Sequence, residues 1–253
     1  MRIAATYSIK GGVGKTSTAV NLAFEAARSG VRVLVWDLDP QGGATFLLRV
    51  RPKLRGGSKR LVGASGELAG HVRGSDLAGV HVVPADFSLR HLDLHLGRGD
   101  DPGARLAALL APLRDTYDLA LLDCPPSISL ASESVFGAAD ALLVPVVPAT
   151  LASRTLRQLT DFLQDDARAP RVLPFLSMVD RRRKLQRELV DQLFVEWPSL
   201  LTTVIPASAV VERMGAERAP VGAFARSAPA SRAYRALWAD VAGALWTDTT
   251  ADH

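Results

Sequence analysis

The sequence has little of several features that define other classes of protein. Of its 253 residues a single one, Cys124, is cysteine, so disulfides within one chain and metal clusters held by several cysteines are excluded. No apolar run reaches the roughly 18 residues that a membrane-spanning helix needs. The first seven residues are too few for the apolar segment of a secretory signal. Together these absences predict a cytoplasmic protein.

Lysine is also scarce in this chain. Five of the 30 basic residues are lysine, and two of those five, Lys10 and Lys15, lie in the one segment SIKGGVGKTST. Because the chain otherwise uses arginine, this distribution suggests that the two positions need a compact ammonium group rather than a planar guanidinium.

The basic residues are unevenly distributed. The net charge is +4, but residues 40–66 contain six bases and no acid. A second basic cluster consists of Arg181, Arg182, Arg183, Lys184 and Arg187. Such clusters attract polyanions such as DNA or acidic lipid, although for any single cluster a solubilising surface is the commoner role.

Apolar runs and helical stretches alternate along the chain. Strands are predicted at residues 2–7, 31–36, 119–124, 141–147, 172–177 and 201–206, and helices at 16–29, 104–114, 129–139, 152–164, 185–195 and 230–245. This alternation is typical of a doubly wound, mostly parallel α/β sheet flanked by helices. Residues 47–65 are the one candidate for a long loop. No linker divides the chain, which predicts a single domain over residues 1–253.

The segment after the first strand has the features of a phosphate-binding loop. Its three glycines let backbone N–H groups close around a phosphate at a helix N-terminus. Lys15 is placed to reach the β- and γ-phosphates, and the hydroxyl of Thr16 to bind Mg²⁺. The strict pattern G-x-x-x-x-G-K-[ST] asks for glycine where this chain has Ile9. The predicted nucleotide-binding set is Gly11, Gly12, Val13, Gly14, Lys15, Thr16 and Ser17.

Carboxylates follow two of the predicted strands. WDLDPQGGAT places Asp37 and Asp39 at the carboxyl edge of the sheet, where ligands bind in open α/β folds. A carboxylate there can hold a metal-bound water or orient an attacking water, although Asp-x-Asp alone also fits a turn with a helix cap. LALLDCPPS is an apolar strand that ends in Asp123, which is predicted to face Mg²⁺ through water.

In this order and spacing, KGGVGKT, DLDPQGGAT and LLDCPPS resemble the deviant Walker A ATPases of the ParA/MinD group, and the later VPVVPAT is most similar to ParA. The similarity runs from residue 2 to about residue 241 and is weaker over residues 47–79. The resemblance implies a P-loop NTPase fold with ATP and Mg²⁺ as cofactors. It also implies an ATP-sandwich homodimer, in which Lys10 reaches the phosphates bound by the other subunit.

The same resemblance implies roles for further residues. Asp39 would assist hydrolysis and Asp37 would support the Mg²⁺ shell, while Met178 and Pro206 would border the adenine. The chain departs from the family at IPASAVVERMGAERAP, where the usual IPRNVRLSEAPSHGKP contains an arginine that many ParA proteins use near DNA. The run from Arg181 to Lys184 lies where other members carry a DNA-binding arginine, so it is the predicted DNA surface, and the basic segment 49–60 is the second candidate.

The function implied is that of a positioning ATPase on nucleoid DNA. It would bind DNA without sequence preference, and a ParB-like or other activating partner would trigger its hydrolysis of ATP. The cargo would be a chromosome, a plasmid or a protein assembly. Because the chain begins almost at the phosphate-binding loop, no N-terminal helix-turn-helix domain is expected.

Of three other functions, two require a feature that the sequence can be checked for. A MinD-like membrane-surface ATPase needs a basic amphipathic C-terminal helix, but this chain has no lysine or arginine after Arg235, so a helix packed on the sheet is expected instead. An ATPase related to the nitrogenase iron protein needs two cysteines per chain for a shared cluster, which the single cysteine excludes. An adaptor that binds ATP and hardly hydrolyses it stays open.

Overall fold

The computed structural model describes residues 1–62, 67–96, 101–127, 129–164 and 168–246. Within them lies an eight-stranded sheet of order β3-β4-β2-β5-β1-β6-β7-β8. Neighbouring strands are parallel except for β3, which runs antiparallel to β4. The strands are β1 (Arg2–Thr6), β2 (Val33–Asp37), β3 (Arg73–Gly74), β4 (Val80–Val83), β5 (Leu119–Asp123), β6 (Ala141–Val146), β7 (Arg171–Val179) and β8 (Leu201–Pro206). The predicted doubly wound, mostly parallel sheet is confirmed.

Helices connect the strands and cover both faces of the sheet. In the described part of the chain they are α1 (Lys15–Arg28), α2 (Gly43–Leu47), α3 (Gly57–Leu61), α4 (Leu92–Leu96), α5 (Pro102–Leu110), α6 (Leu130–Ala138), α7 (Ala152–Leu163), α8 (Lys184–Glu196), α9 (Ala209–Glu212), α10 (Met214–Glu217), α11 (Val221–Phe224) and α12 (Pro229–Trp246). Each helix predicted from the sequence is present, with ends that differ by a few residues.

The central strands are buried on both faces. Successive side chains of a strand point to opposite faces of the sheet, so Leu34 and Trp36 of β2 enter one apolar core and Val33 and Val35 enter the other. Strands buried in this way read as continuous apolar runs, which is why the sequence predicted them. The carboxyl ends of β1, β2 and β5 therefore meet at one edge of a rigid sheet.

The C-terminal helix α12 packs on the sheet, as predicted. Leu237, Trp238 and Val241 are buried in the core that contains α1 and the β2 valines. In the parts of the chain for which we give a structure, no helix is both long and apolar enough to cross a membrane. The apolar side of α12 is thus occupied by the protein itself.

The prediction that residues 47–65 form a long loop is wrong for α3, a helix over Gly57–Leu61. Leu54 and Leu61 explain the difference, because both side chains are buried in the same core as Trp36. Apolar residues spaced along a basic segment thus anchor it to the body of the protein. Residues 63–65 of the predicted loop lie outside the described residues.

Candidate phosphate-binding site

The glycine-rich loop connects β1 to α1 at the carboxyl edge of the sheet. Gly12 and Gly14 have φ angles of 70° and 97°, a left-handed conformation that glycine adopts without a steric penalty. Ser177 of β7 donates a hydrogen bond to the carbonyl of Val13 at 2.9 Å, and a Cβ on Gly14 would lie 3.2 Å from the Ser177 hydroxyl. The loop is therefore held against β7, and the N-terminus of α1 is available to an anion.

Lys15 extends back over this loop. Its Nζ donates to the carbonyl of Lys10 at 3.2 Å, and the residue is almost entirely buried. Burial lowers the pKa of the Lys15 ammonium, while the nearby carboxylates Asp123 and Asp39 oppose that shift. The ammonium has thus lost much of its water and has one carbonyl as its hydrogen-bond partner, so a phosphate oxygen in the loop would be a strong additional ligand.

Asp37 lies below the loop and is held by three hydrogen bonds. Its Oδ2 accepts from the backbone N–H and from the hydroxyl of Thr45, both at 2.7 Å, and its Oδ1 accepts from the N–H of Asp39 at 3.2 Å. The side chain is fully buried. Burial raises the pKa of Asp37 to about 6, and the bonds from Thr45 limit the rise. Asp37 therefore fixes the segment that follows β2.

Asp123 is adjacent to Asp37, because the two residues are register partners on the parallel strands β5 and β2. Its Oδ1 accepts a hydrogen bond from the hydroxyl of Thr6 at 3.1 Å. Its Oδ2 is buried and accepts no hydrogen bond from the residues described. Burial and, secondly, the charge of Asp37 raise the pKa of Asp123 to about 8, while the hydroxyl of Thr16 beside it lowers the pKa.

These groups fit a hydrated Mg²⁺ ion. A buried carboxylate oxygen without a partner is costly, and Mg²⁺ prefers oxygen ligands and keeps several of its waters. Thr16 and Asp123 are the residues that would hold the ion, and Asp37 would act from behind them through its charge. Asp39 is half-buried, and its Oδ1 accepts a hydrogen bond from the N–H of Gln41 at 2.9 Å.

A cavity of about 500 Å³ opens above the loop. It brings together most of the predicted residues: Gly11, Gly12, Gly14, Lys15, Thr16, Ser17, Asp39, Met178 and Pro206. Asp37 and Asp123 lie beneath its wall with no exposed surface. Val13 and Lys10 instead line a second, more apolar cavity of about 320 Å³ on the other side of the loop.

Sequence reasoning missed several residues of the larger cavity. Ser177, Ser208, Met214 and Tyr234 all line it. Ser177 immediately precedes Met178, so its position on the strand was the available signal. Ser208 and Met214 follow β8 in a segment that departs from the family pattern, and Tyr234 lies on a helix whose apolar spacing predicts only packing.

Lys10 differs from Lys15 in its surroundings. The residue is exposed, and no carboxylate of the described residues lies within 4 Å of its ammonium. Its backbone is fixed, because its N–H donates to the hydroxyl of Ser8 at 3.3 Å and its carbonyl accepts from Lys15. The loop therefore presents an unneutralised cation to solvent.

The basic run spans the turn between β7 and α8 and the first residue of α8, Lys184, at the same edge of the sheet but outside the cavity. Arg182 donates to both carboxylate oxygens of Asp180, at 2.9 and 3.1 Å, and Lys184 Nζ lies 3.7 Å from Glu188 Oε1. Arg181 and Arg183 have no acidic partner within 4 Å in the described chain. Two of the four predicted DNA-binding residues are thus paired with acids, and two present free charges.

The comparisons with known proteins agree with this geometry. The family described as AAA domain matches residues 1–169. The chain is 37% identical over 240 residues to the chromosome-partitioning ATPase Soj of Thermus thermophilus, which covers 92% of each chain. It is 31% identical over 251 residues to the chromosome partitioning protein ParA of Caulobacter vibrioides, with 95% of this chain and 94% of that protein covered.

A solved structure extends the similarity to three dimensions. Cobyrinic acid a,c-diamide synthase from Mycobacterium smegmatis, with bound ATP analog and magnesium, superposes with a TM-score of 0.80 at 26% identity over 96% of this chain and 94% of that one. The family match spans more than half of the chain, and the two sequence relatives extend over more than nine tenths of it. On these grounds the chain belongs to the ParA/MinD group of P-loop ATPases.

Proposed function

We propose that this protein is a positioning ATPase that binds ATP with Mg²⁺, dimerises around the nucleotide and binds nucleoid DNA without sequence preference. A ParB-like or other activating partner stimulates hydrolysis, which releases the dimer from DNA, and the cargo is a chromosome, a plasmid or a protein assembly. The relatives named as partition proteins support this class of function. The arrangement of Lys15, Thr16 and Asp123 supports the binding of ATP and of Mg²⁺.

The observation that supports the proposal is the additional lysine of the loop, Lys10. Lys15 already faces the cavity, whereas Lys10 is exposed, held by its backbone and without an acidic neighbour in the described chain. A cation in that position completes the phosphate site of a second subunit, as an arginine finger does in other NTPases. ATP then links the two subunits, because each nucleotide binds residues of both.

Different residues of one chain bind the phosphates, bind the metal and orient the attacking water in this proposal. The loop N–H groups and Lys15 hold the phosphates, and Mg²⁺, when bound beside Thr16 and Asp123, neutralises phosphate charge. Asp39 lies on the cavity wall with its carboxylate partly exposed, so it is positioned to orient a water for attack on the γ-phosphate.

A test of the dimer uses Lys10→Ala. We expect this variant to bind ATP and yet remain monomeric by light scattering, because the cation contributed to the partner is missing. Lys59→Ala removes another exposed lysine of the chain and should leave dimer formation unchanged. Asp39→Ala should have the opposite effect and accumulate an ATP-bound dimer that hydrolyses slowly. ATP-dependent dimers of Lys10→Ala equal to wild type would refute the role in trans.

A test of DNA binding uses the two free arginines. Phosphate binding releases counterions, so the affinity should fall with salt by a log–log slope of about −0.9 per phosphate contacted. We expect R181A/R183A to weaken binding of random DNA in ATP and to flatten this slope. R32A/R157A removes two arginines that are paired with acids elsewhere and serves as the charge-matched control. Equal losses in both double variants would place the DNA surface elsewhere.

The membrane alternative has less support, because the apolar face of α12 is buried in the protein. Co-sedimentation with DNA and with liposomes of anionic lipid, each in ADP and in ATP, separates the two classes. ATP-dependent sedimentation with DNA and not with liposomes is the expected result, and the reverse would favour a membrane-surface ATPase.

A further inference from the structure

Two arginines occupy an unusual backbone conformation next to the nucleotide cavity. Arg49, which follows α2, has φ of 57°, and Arg218, which follows α10, has φ of 47°. This left-handed region is disfavoured for residues other than glycine, although a residue in this conformation commonly follows the end of a helix. Strained residues of this kind persist where the surrounding structure holds them.

Each arginine binds the end of the other's helix. Arg49 donates through Nε to the carbonyl of Arg218 at 3.0 Å and through Nη2 to the carbonyl of Glu217 at 2.8 Å. Arg218 donates through Nε to the carbonyl of Phe46 at 3.1 Å, and its guanidinium lies 4.5 Å from the Phe46 ring centroid. The last carbonyls of α2 and α10 are thereby capped by cations, a favourable arrangement at helix C-termini. We call this pair the Arg49–Arg218 latch.

The latch joins two walls of the same cavity. On one side, α2 contacts the predicted metal site: a Cβ on Gly43 would lie 3.0 Å from Thr16 Cγ2, and Thr45 holds Asp37. On the other side, Met214 and Gly215 of α10 line the cavity. Neither arginine lines that cavity; both lie in a separate depression outside it.

We propose that the Arg49–Arg218 latch positions the wall formed by α9 and α10 against the bound nucleotide and thereby sets nucleotide affinity. The inference rests on the proposed binding of ATP and ADP. Helices of four residues are far too short to be stable alone, so α9 and α10 depend on contacts from outside. A wall that is ordered before the ligand arrives removes an ordering cost from binding. Arg49 and Arg218 are positioning residues in this scheme.

The test is built on Arg218→Gly and Arg49→Gly. Glycine keeps the left-handed backbone without strain, and this relief offsets the loss of hydrogen bonds that lie at the exposed surface. The melting temperature of the nucleotide-free protein should therefore change little. The dissociation constant for ADP with Mg²⁺, measured by calorimetry, should increase about tenfold in either variant, because hydrogen bonds from charged donors are lost. The double variant R49G/R218G should bind ADP no more weakly than either single variant, since both arginines belong to one unit.

Hydrolysis gives a second readout. We expect the KM for ATP to rise in Arg218→Gly while kcat stays within about twofold, because the loop and Asp39 are untouched. Arg232→Ala is the control, since Arg232 is an exposed arginine that also donates to a backbone carbonyl, that of Ser227.

The outcomes are distinguishable. If wild type binds no ADP with Mg²⁺, the proposed function fails before the latch is tested. If wild type binds ADP and Arg218→Gly binds it equally well, the role of the latch is refuted while the proposed function is not. Additive losses in the double variant would show that the two arginines act separately. A lower melting temperature of nucleotide-free Arg218→Gly would show that the latch holds the fold rather than the nucleotide wall. Either of these last two results overturns the inference.

Discussion

Replacing Asp123 with asparagine should stabilise the metal-free protein at pH 8. Asp123 and Asp37 lie side by side on neighbouring strands, and both are fully buried. Within the described residues, Asp123 Oδ2 accepts no hydrogen bond. Burial and the neighbouring charge raise the pKa of Asp123 to about 8. Folding therefore carries a carboxylate into a place where its ionised form is disfavoured.

The direction of the pH dependence follows from that shift. The pKa of Asp123 is 3.8 in an ordinary environment and about 8 in the folded protein, so the folded state binds the extra proton between these values. The protonated Asp123 side chain is tolerated in the folded protein, so its contribution to the free energy of unfolding is fully present below pH 4. This contribution is lost as the pH rises towards 8, where the buried side chain ionises. Each pKa unit corresponds to about 1.4 kcal/mol, but measured penalties for buried charges are smaller than full desolvation implies, so we expect a gain of about 2 kcal/mol for Asp123→Asn.

Urea unfolding in EDTA measures this difference. The free energy of unfolding of Asp123→Asn should exceed that of wild type at pH 8, and the gain should shrink towards pH 5. ADP with Mg²⁺ should stabilise wild type more than the variant, because the variant lacks one carboxylate of the proposed metal site. A variant less stable than wild type in EDTA at pH 8 would refute the view that this charge is uncompensated without metal.

Asp118→Asn is the control, since Asp118 immediately precedes β5 and Asp123 is the last residue of the same strand. Hydrogen bonds from Arg32 lower the pKa of Asp118 to about 2, so its charge stabilises the folded protein above the ordinary pKa and that stability is lost as the pH falls towards 2. Asp118→Asn should therefore lower the free energy of unfolding, in contrast to Asp123→Asn. The loss should be about 1 kcal/mol or less, because the Arg32–Asp118 pair is exposed and screened.

Further predictions concern ligand binding and packing. Lys15→Ala should abolish ATP binding in calorimetry, and retained tight binding would contradict the phosphate-binding assignment. Thr45→Val should lower the free energy of urea unfolding by about 3 kcal/mol, because two buried hydrogen bonds are lost; Thr45→Ser keeps the hydroxyl, and an equal loss there would disprove the cause. Gly103→Ala should cost about 2 kcal/mol, since its Cβ would lie 2.7 Å from Gly137 Cα, whereas Gly70→Ala, with no atom within 4 Å, should cost much less.

The sequence predicted the central strands and the phosphate-binding loop well, for a physical reason. Strands buried on both faces are uninterrupted apolar runs, and a glycine-rich segment between such a strand and a helix leaves few alternatives. The pattern also predicted that residues 11–17 and Asp39 lie at the carboxyl edge of the sheet, and the structure places them there; their roles in nucleotide binding and hydrolysis stay predictions. Met178 and Pro206 were assigned through the family resemblance, and both line the cavity.

Other features depended on contacts between distant parts of the chain. The strand β4 was missed because its four residues, Val80–Val83, are too few to show a period. The segment around Leu54 and Leu61 looked like a loop because its many bases and glycines obscured two apolar anchors. The left-handed Arg49 has no local signal at all, since the carbonyl that it binds belongs to Arg218, 169 residues further along.

The pair Asp37 and Asp39 shows how one short pattern yields two different carboxylates. A strict strand would place residues two apart on the same face and in the same surroundings. Here β2 ends at Asp37, whose carboxylate binds the N–H groups of Asp39 and Thr45 and so turns the chain away from the sheet. Asp39 then stabilises the turn itself, accepting from the N–H of Gln41 at 2.9 Å, and lies on the cavity wall. The buried aspartate thus positions the accessible one. If Asp39 orients the attacking water as proposed, Asp37→Asn should lower kcat for ATP hydrolysis through Asp39 as well as through the metal, and an unchanged kcat would contradict this coupling.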